Sequence, residues 1–336
     1  MVAIHSTLRG PALGGCRMWS YDDTRAAVRD ALLLSRAMTY KAAVADLPLG
    51  GGKGVIVLSP GESLSGARRR AALLDFAETV DALGGRYITA EDVGVSSRDM
   101  QVVAEGTRHV TGLSRRRGGS GDPSPMTALG VEAAIRVTLE RVLGSTSMRG
   151  RSVAVIGLGH VGSRLASRLA RAGAQLVAAD VDPAKRGVAE RLGARWTSPE
   201  KALLADVDLV APCALGGVLD EHTVPELRCR AVAGAANNQL AHDAIADLLH
   251  ARRVLWAPDF VVNAGGIINI AVELEGRYDP ARGRRRVRRI GDTLQEIFAH
   301  VERAGVTPLT AAMEIARGRL SEASASLAGA REAATA

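Results

Sequence analysis

Lysine is scarce in this chain: of 43 basic residues, four are lysine (Lys41, Lys53, Lys185, Lys201). Cysteine is scarcer still. Cys16, Cys213 and Cys229 are too few for a disulfide framework and too widely spaced for a zinc site, so no metal is expected. No apolar run approaches the ~20 residues of a membrane span. The opening, MVAIHSTLRG, reaches His5 and Ser6 within a few residues and leaves no hydrophobic core for a secretory leader. A cytoplasmic protein without a membrane partner is expected. Aromatic residues are 3 % of the chain, which leaves few stacking platforms for single-stranded nucleic acid, and no DNA- or RNA-binding motif is present. The net charge of +7, with Arg115-Arg116-Arg117 and the run Arg284, Arg285, Arg286, Arg288, Arg289, therefore reads as solvated helix faces and subunit contacts. No nucleic-acid partner is expected.

What is present is ordinary globular material. Apolar residues make 47 % and charged residues 24 % of 336 residues, the balance of ~2 domains. Residues 24–44 carry helical spacing at Ala27, Ala31, Leu34 and Met38. A glycine-rich break, LPLGGGKG, leads into a short strand, VIVL. Residues 66–83 read as a second helix and RYITAEDVG as a strand. The segment RRRGGSGDPSPM at 115–126 is the clearest linker, and TALGVEAAIRVTLERVL after it is an amphipathic helix. From 151 on, RSVAVI, QLVAAD, DLVAPC, AVAGAA and VLWAPD alternate with helical stretches, the pattern of βαβ units and a parallel sheet. The tail SEASASLAGAREAATA is low in complexity and expected to fray.

The strand RSVAVI runs into Gly157-Leu-Gly159-His-Val-Gly162 and then a helix. In such a loop one glycine makes the tight turn, the next lets backbone N–H groups approach a pyrophosphate, and the third lets helix and strand pack closely. The helix N-terminus adds partial positive charge. The next strand ends at Asp180, 18 residues past Gly162, where a carboxylate accepts from ribose hydroxyls and repels a 2′-phosphate. Strand, loop, helix and acid together favour NAD over NADP, although Lys185 and Arg186 stand nearby.

Two of the rare lysines, Lys41 and Lys53, stand twelve residues apart in SRAMTYKAAVADLPLGGGKGVI. Arginine can hold a carboxylate but cannot lose a proton near neutral pH; a desolvated lysine can. Gly50, Gly51 and Gly52 strip side chains from beside Lys53. Spacing alone leaves two readings open: a pair of structural lysines holding loops, or the charged heart of a site.

Taken in order, GPALGGCRM, MTYKAAVADLPLGGGKGVI, AEDVG, GSGDPSPMTALGV, APCALGG, GAANNQL and APDFVVNAGGIIN resemble the Glu/Leu/Phe/Val amino-acid dehydrogenase family from residue 1 to about 320, closest to its valine, leucine and phenylalanine branch. The resemblance implies reversible, NAD-dependent oxidative deamination of an L-amino acid to its 2-oxo acid and ammonium. It implies an α/β protein of two domains around a cleft, the second a doubly wound Rossmann-type NAD domain, in a homo-oligomer. The first domain is expected over 1–125 and the second over 126–300, with helices from 300–336 returning to the first. By resemblance Lys53 is the catalytic base, Asp92 exchanges protons with the amino group, and Lys41 binds the α-carboxylate. Gly14 and Asn263 are similar to substrate-contacting positions. Thr127, Ala214 and Asn238 join Gly157, Gly159, Gly162 and Asp180 as cofactor positions. Leu13 stands where glutamate-specific relatives carry a lysine, and Ala90 where phenylalanine-preferring relatives tend to have glycine. Leu13 excludes glutamate, and Ala90 favours a branched-chain substrate, valine or leucine, over phenylalanine, the alternative that the stretch ARRVLWAPDFVVNAGG also resembles. The helix bearing Ile290, Thr293, Leu294 and Ile297 is expected to complete the pocket wall. Relatives carry a further segment, including a strand, ahead of the part matching VAIHST; this departure bears on sheet and assembly and on no catalytic position.

Overall fold

The structure, a computed structural model, describes residues 1–335, with side chains through 329. Among these residues the strands form two sheets, one in each of two compact units.

The first unit comprises Met1–Asp122, Ile270–Pro280 and the segment from Ile315 onward. Strands β1 (Val2–Ser6), β2 (Ala12–Ser20), β3 (Gly50–Leu58) and β4 (Tyr87–Glu91) lie in the order β1-β3-β2-β4. β1 runs antiparallel to β3, while β2 is parallel to both β3 and β4. Helix α1 (Thr24–Val44) starts at Asp23, whose side chain accepts from Ala26 N at 2.7 Å. Helices α2 (Gly66–Asp81) and α3 (Ser97–Gly106) follow. Phe76 and Val80 of α2 and Met100 and Val103 of α3 are buried in one core with Ala12, Cys16, Met18 and Tyr87 of the sheet.

Here the glycine-rich segment differs from its expected form. Gly50, Gly51 and Gly52 are not a break before a strand but the first residues of β3, in ladder with β1 and β2. Glycine is required because other parts of the chain occupy the side-chain space. A Cβ on Gly51 would stand 2.1 Å from Thr39 N and 2.6 Å from Ser35 O, so the backbone of α1 lies directly on the strand. A Cβ on Gly52 would stand 2.7 Å from the Tyr87 ring on the opposite face. The same closeness explains why α1 buries a stripe of small residues, Ala27, Ala31, Ser35 and Thr39, with Leu34 and Met38 half-buried. Arg319 donates to Val44 O at 2.6 Å and Ala43 O at 3.3 Å, capping carbonyls at the end of α1.

The second unit comprises Pro123–Asn269 and Ala281–Glu314. After α4 (Ser124–Leu143) come β5 (Ser152–Ile156), α5 (His160–Arg171), β6 (Gln175–Ala179), β7 (Arg195–Trp196), β8 (Leu209–Pro212), β9 (Ala231–Val232) and β10 (Leu255–Trp256). All six strands are parallel, in the order β10-β9-β8-β5-β6-β7. This is the doubly wound order, whose direction reverses between β5 and β8. The expected boundaries near 125 and 300 thus become four, and those at 269/270 and 314/315 fall inside the helices Gly265–Leu274 and Pro308–Thr335. The alanine-rich tail continues as helix to Thr335, in keeping with alanine's helix propensity.

Replacing Gly51 with alanine is expected to destabilise the protein by about 1–3 kcal/mol, the scale of forcing one methyl into a filled site. The measurement is the urea midpoint, which should fall with the slope unchanged.

Candidate active site and dinucleotide site

In the first unit, β2, β3 and β4 place alternate residues on one face. Leu13 stands in register with Gly51 and with Ile88, and Gly15 with Ala90. The face turned to α1 therefore carries Leu13, Arg17, Lys53, Ala90 and, one residue past β4, Asp92. Leu13 and Ala90 are buried. Lys53 is 5 % exposed, yet its Nζ meets the carboxylate Oδ2 of Asp92. Arg17 Nε donates to the same Oδ2 at 3.2 Å, and Arg17 Nη1 reaches Asp30 Oδ2 on α1 at 2.9 Å. Tyr21 OH donates to that Asp30 oxygen at 2.5 Å. The carbonyl of Gly14 accepts from the buried Tyr87 OH at 2.5 Å.

Burial lowers the Lys53 pKa from the usual lysine range; Asp92 opposes the shift and Arg17 adds to it. Burial pushes the Asp92 carboxyl up. The Lys53 charge and hydrogen bond, the Arg17 charge and the Val93 N–H outweigh it and hold Asp92 below the usual carboxylate range. The result is an ionised carboxylate beside an ammonium that gives up its proton more readily than a solvated lysine. Lys41 sits half-buried in the last turn of α1. Arg17, Asp30 and Tyr21 were not singled out in the sequence; the signal was there, since Arg17 belongs to GPALGGCRM on the strand beside β4.

In the second unit, Gly157 has φ +97°, and a Cβ there would stand 2.6 Å from the Cβ of Ala214. The loops after β5 and β8 thus touch at the switch point. A Cβ on Gly162 would collide with Gly157 O, while Gly159 is exposed with nothing within 4 Å of that position. α5 starts at Gly159 with no side-chain cap, so its first N–H groups keep their capacity to bind an anion. Asp180 Oδ2 accepts from Leu158 N at 2.6 Å and Oδ1 from Asp182 N at 2.9 Å. An acid fixed at the end of β6 and an open helix N-terminus are the groups an NAD ribose and pyrophosphate need, so these residues fit that cofactor.

The other second-unit positions are placed as follows. Thr127 lies in the first turn of α4, with its Oγ1 donating to Pro123 O at 3.2 Å. Ala214 and Asn238 are exposed; Asn238 takes φ +52° and its carbonyl accepts from Gly217 N at 2.7 Å. Asn263 Nδ2 donates to Asn237 Oδ1 at 2.7 Å and Ala235 O at 3.2 Å. Ile290, Leu294 and Ile297 depart from expectation. They are buried in the helix Ile290–Ala304, and the Ile290 Cδ1 fills the notch left by Gly130 of α4. They are core of the second unit. Among the described residues no group of three or more His, Cys, Asp or Glu could hold a metal ion, and no helix is long and apolar enough to cross a membrane.

Residues 1–109 match the family model of the Glu/Leu/Phe/Val dehydrogenase dimerisation domain, and residues 183–326 that of Glutamate/Leucine/Phenylalanine/Valine dehydrogenase. Residues 133–216 match the NAD binding domain of the D-isomer specific 2-hydroxyacid dehydrogenases. The chain is 45 % identical over 327 residues to valine dehydrogenase of Streptomyces virginiae, covering 96 % of this chain and 90 % of that one. It is 42 % identical over 323 residues to leucine dehydrogenase of Geobacillus stearothermophilus, covering 95 % and 86 %. The crystal structure of L-tryptophan dehydrogenase from Nostoc punctiforme aligns with a TM-score of 0.85 at 40 % identity, over 96 % of this chain and 92 % of that one.

The charge balance at Lys53 has a measurable consequence. Asp92→Asn removes the anion that raises the Lys53 pKa and leaves burial and Arg17 to lower it further. Lys53 is expected to deprotonate at lower pH in this variant, as followed by NMR of the labelled Lys53 side chain. An unchanged or raised titration point would contradict the assigned balance.

Proposed function

The chain belongs to the Glu/Leu/Phe/Val dehydrogenase family, and from that premise we propose that this NAD-dependent amino-acid dehydrogenase oxidises a branched-chain L-amino acid, valine or leucine. The products are the 2-oxo acid, ammonium and NADH. The observation that carries the proposal is the Lys53–Asp92 pair, an ion pair of a nearly inaccessible lysine on the face that also bears Leu13 and Ala90. The valine and leucine dehydrogenases at 45 % and 42 % identity support the aliphatic choice.

NAD, when bound, accepts the hydride from the substrate Cα. The other steps fall to the chain's own residues. Lys41 pairs with the α-carboxylate as a point charge. Asp92 takes a proton from the substrate ammonium, so that the amine is neutral before the hydride leaves. Lys53, its pKa lowered by burial, removes a proton from the water that attacks the imino carbon. Asp92 then returns its proton to the nitrogen, the C–N bond breaks, and the hydroxyl proton passes to the departing ammonia to give ammonium and the 2-oxo acid. The proton on Lys53 is released to water. Gly14 and Asn263 position the substrate, while Thr127, Ala214 and Asn238 contact the cofactor beside Gly157, Gly159, Gly162 and Asp180. The match of residues 1–109 to a dimerisation domain supports a homo-oligomer.

Leu13 offers no charge to a glutamate side chain, and an unpaired buried carboxylate there would cost several kcal/mol. Ala90 keeps a methyl where phenylalanine-preferring relatives tend to have none. One methyl in an apolar pocket is worth only ~1–3 kcal/mol, and an L-tryptophan dehydrogenase is about as similar in sequence as the leucine enzymes. The deciding experiment is therefore kcat/KM for L-valine, L-leucine, L-phenylalanine, L-tryptophan and L-glutamate. Valine or leucine should lead; an aromatic value tenfold above both would overturn the branched-chain assignment and leave the family chemistry standing.

Asp180→Asn tests the cofactor reading. Asparagine keeps an acceptor for Leu158 N and loses the charge that repels a 2′-phosphate. NADH is expected to bind more weakly and NADPH relatively better, as measured by fluorescence titration of both. Wild-type protein that already binds the two equally would remove the role given to Asp180.

A further inference from the structure

Arg17, Asp30 and Tyr21 are not needed by the chemistry given above, yet they are tied into its centre. Along the α1 face the charges alternate: Lys53, Asp92, Arg17, Asp30, with the Tyr21 hydroxyl closing the far end on Asp30. The pair at the centre shares one atom. Lys53 Nζ and Arg17 Nε both address Asp92 Oδ2. Arg17 is side-chain half-buried and held from two elements, since its Nε is spent on Asp92 and its Nη1 on α1 through Asp30.

We infer that Arg17 is a positioning residue for the deamination: from β2 it fixes Asp92 Oδ2 where Lys53 meets it, and Asp30 and Tyr21 hold Arg17 in place. The inference rests on the roles proposed for Lys53 and Asp92. It gives Arg17 two effects. A fixed guanidinium beside Asp92 keeps that carboxylate ionised and in place for Lys53. Its own positive charge, sharing the anion that would otherwise belong to Lys53 alone, favours release of the Lys53 proton. The direct charge effect is the one the pH profile reads.

The surrounding groups leave this assignment clear. On the face of the pair stand Arg17 of β2 and, from α1 and the turn before it, Asp30 and Tyr21. Cys16 and Tyr87 lie in the core on the opposite face of the sheet, and the amino group of Met1 donates to Val55 O at 2.8 Å. Burial pushes the Cys16 thiol up to about 12. Burial and the hydrogen bond to Asp30 push the Tyr21 phenol up to about 12, and burial raises Tyr87 further. The thiol and the two phenols stay neutral through the neutral range, Arg17 stays charged throughout, and burial lowers the pKa of the Met1 amino group, whose charge bears on Cys16. Asp30 acts on Lys53 in the opposite sense to Arg17.

The test is the pH dependence of kcat/KM with the preferred amino acid, for wild type, Arg17→Gln, Arg17→Lys and Asp30→Asn, with thermal melts alongside. In Arg17→Gln the rising limb should move to higher pH by about one unit, the scale of a close charge. Activity on the limb then falls about tenfold and recovers on the alkaline plateau. Arg17→Lys keeps the charge and should return the limb most of the way. Asp30→Asn should move it to lower pH. A drop that is uniform across pH, or an Arg17→Lys no better than Arg17→Gln, would overturn the inference. If Arg17→Gln does not fold, the opposite displacement of Asp30→Asn and the near-native limb of Arg17→Lys decide the matter. Lys53→Arg separates this from the underlying reading: there kcat should fall by ~10²–10⁴, as on losing a general base. Retention of more than about half the activity would discard the role of Lys53 itself, whatever Arg17 does.

Discussion

A lysine ammonium with almost no access to water must find an anion, and in this protein it finds one carboxylate oxygen. Removing the carboxylate would leave an uncompensated buried ammonium, which costs about 3–5 kcal/mol. That constraint dictates much of the first unit. Asp92 must reach across from the end of β4 to β3, so β2 between them carries glycine at 15, where a Cβ would stand 2.7 Å from the Asp92 Cβ. α1 must lie low enough over the sheet to bring Asp30 to Arg17, so the strand beneath it has no side chain at Gly51 and the helix presents Ala31, Ser35 and Thr39. The glycines beside Lys53 are thus occupied by the protein's own backbone and by Tyr87. Their service to the site is indirect: they set how closely the elements bearing the charges can approach.

The second unit meets a similar demand with backbone donors. Asp180 is held by the N–H groups of Leu158 and Asp182, so its carboxylate is oriented by the same loop that offers N–H groups to a pyrophosphate. Loop and acid form one device. Because Gly157 packs on Ala214, the loop is braced from the strand on the other side of the switch point as well, which is where an open α/β sheet binds its ligand.

Much of this could be read from the sequence, and the exceptions have physical causes. α1, α2, α4 and the strands β4, β5, β6 and β8 follow hydrophobic periodicity closely, because each buries one face or both. β1, β2 and the start of β3 escaped it. Glycine carries no periodic signal, and β2 reads ALGGCRMWS, in which an arginine and two glycines interrupt the alternation. The unit boundaries at 269/270 and 314/315 were invisible because punctuation by glycine and proline marks loops, and these boundaries fall within helices. Ile290, Leu294 and Ile297 went to the wrong place for a plain reason: an apolar helical stripe declares burial but not the surface that buries it. Arg17 was hidden by composition. In a chain whose routine surface charge is arginine, one more arginine drew no notice, whereas two lysines did.

The two layers of function differ in how strongly the fold fixes them, and this is why one is legible and the other is not. The chemistry depends on whole charges in register along neighbouring strands. A one-residue slip of β2 against β4 would turn Arg17 to the opposite face and take it from Asp92, at a cost of several kcal/mol. Such arrangements leave a rigid trace in sequence, in the form of the glycines, the rare lysines and the acid after β4. In the proposed reading substrate choice rests on a few methyl groups at Leu13, Ala90 and their neighbours, worth ~1–3 kcal/mol apiece. Differences of that size leave strand register, ion pairs and the cofactor loop undisturbed. A valine, a leucine and a tryptophan dehydrogenase stand at 40–45 % identity to the same chain, so overall similarity does not by itself separate the substrates. On the proposed roles, the pair at Lys53 and Asp92 constrains what reaction the site can run, and the small residues around it, free of that constraint, are the ones proposed to choose the substrate.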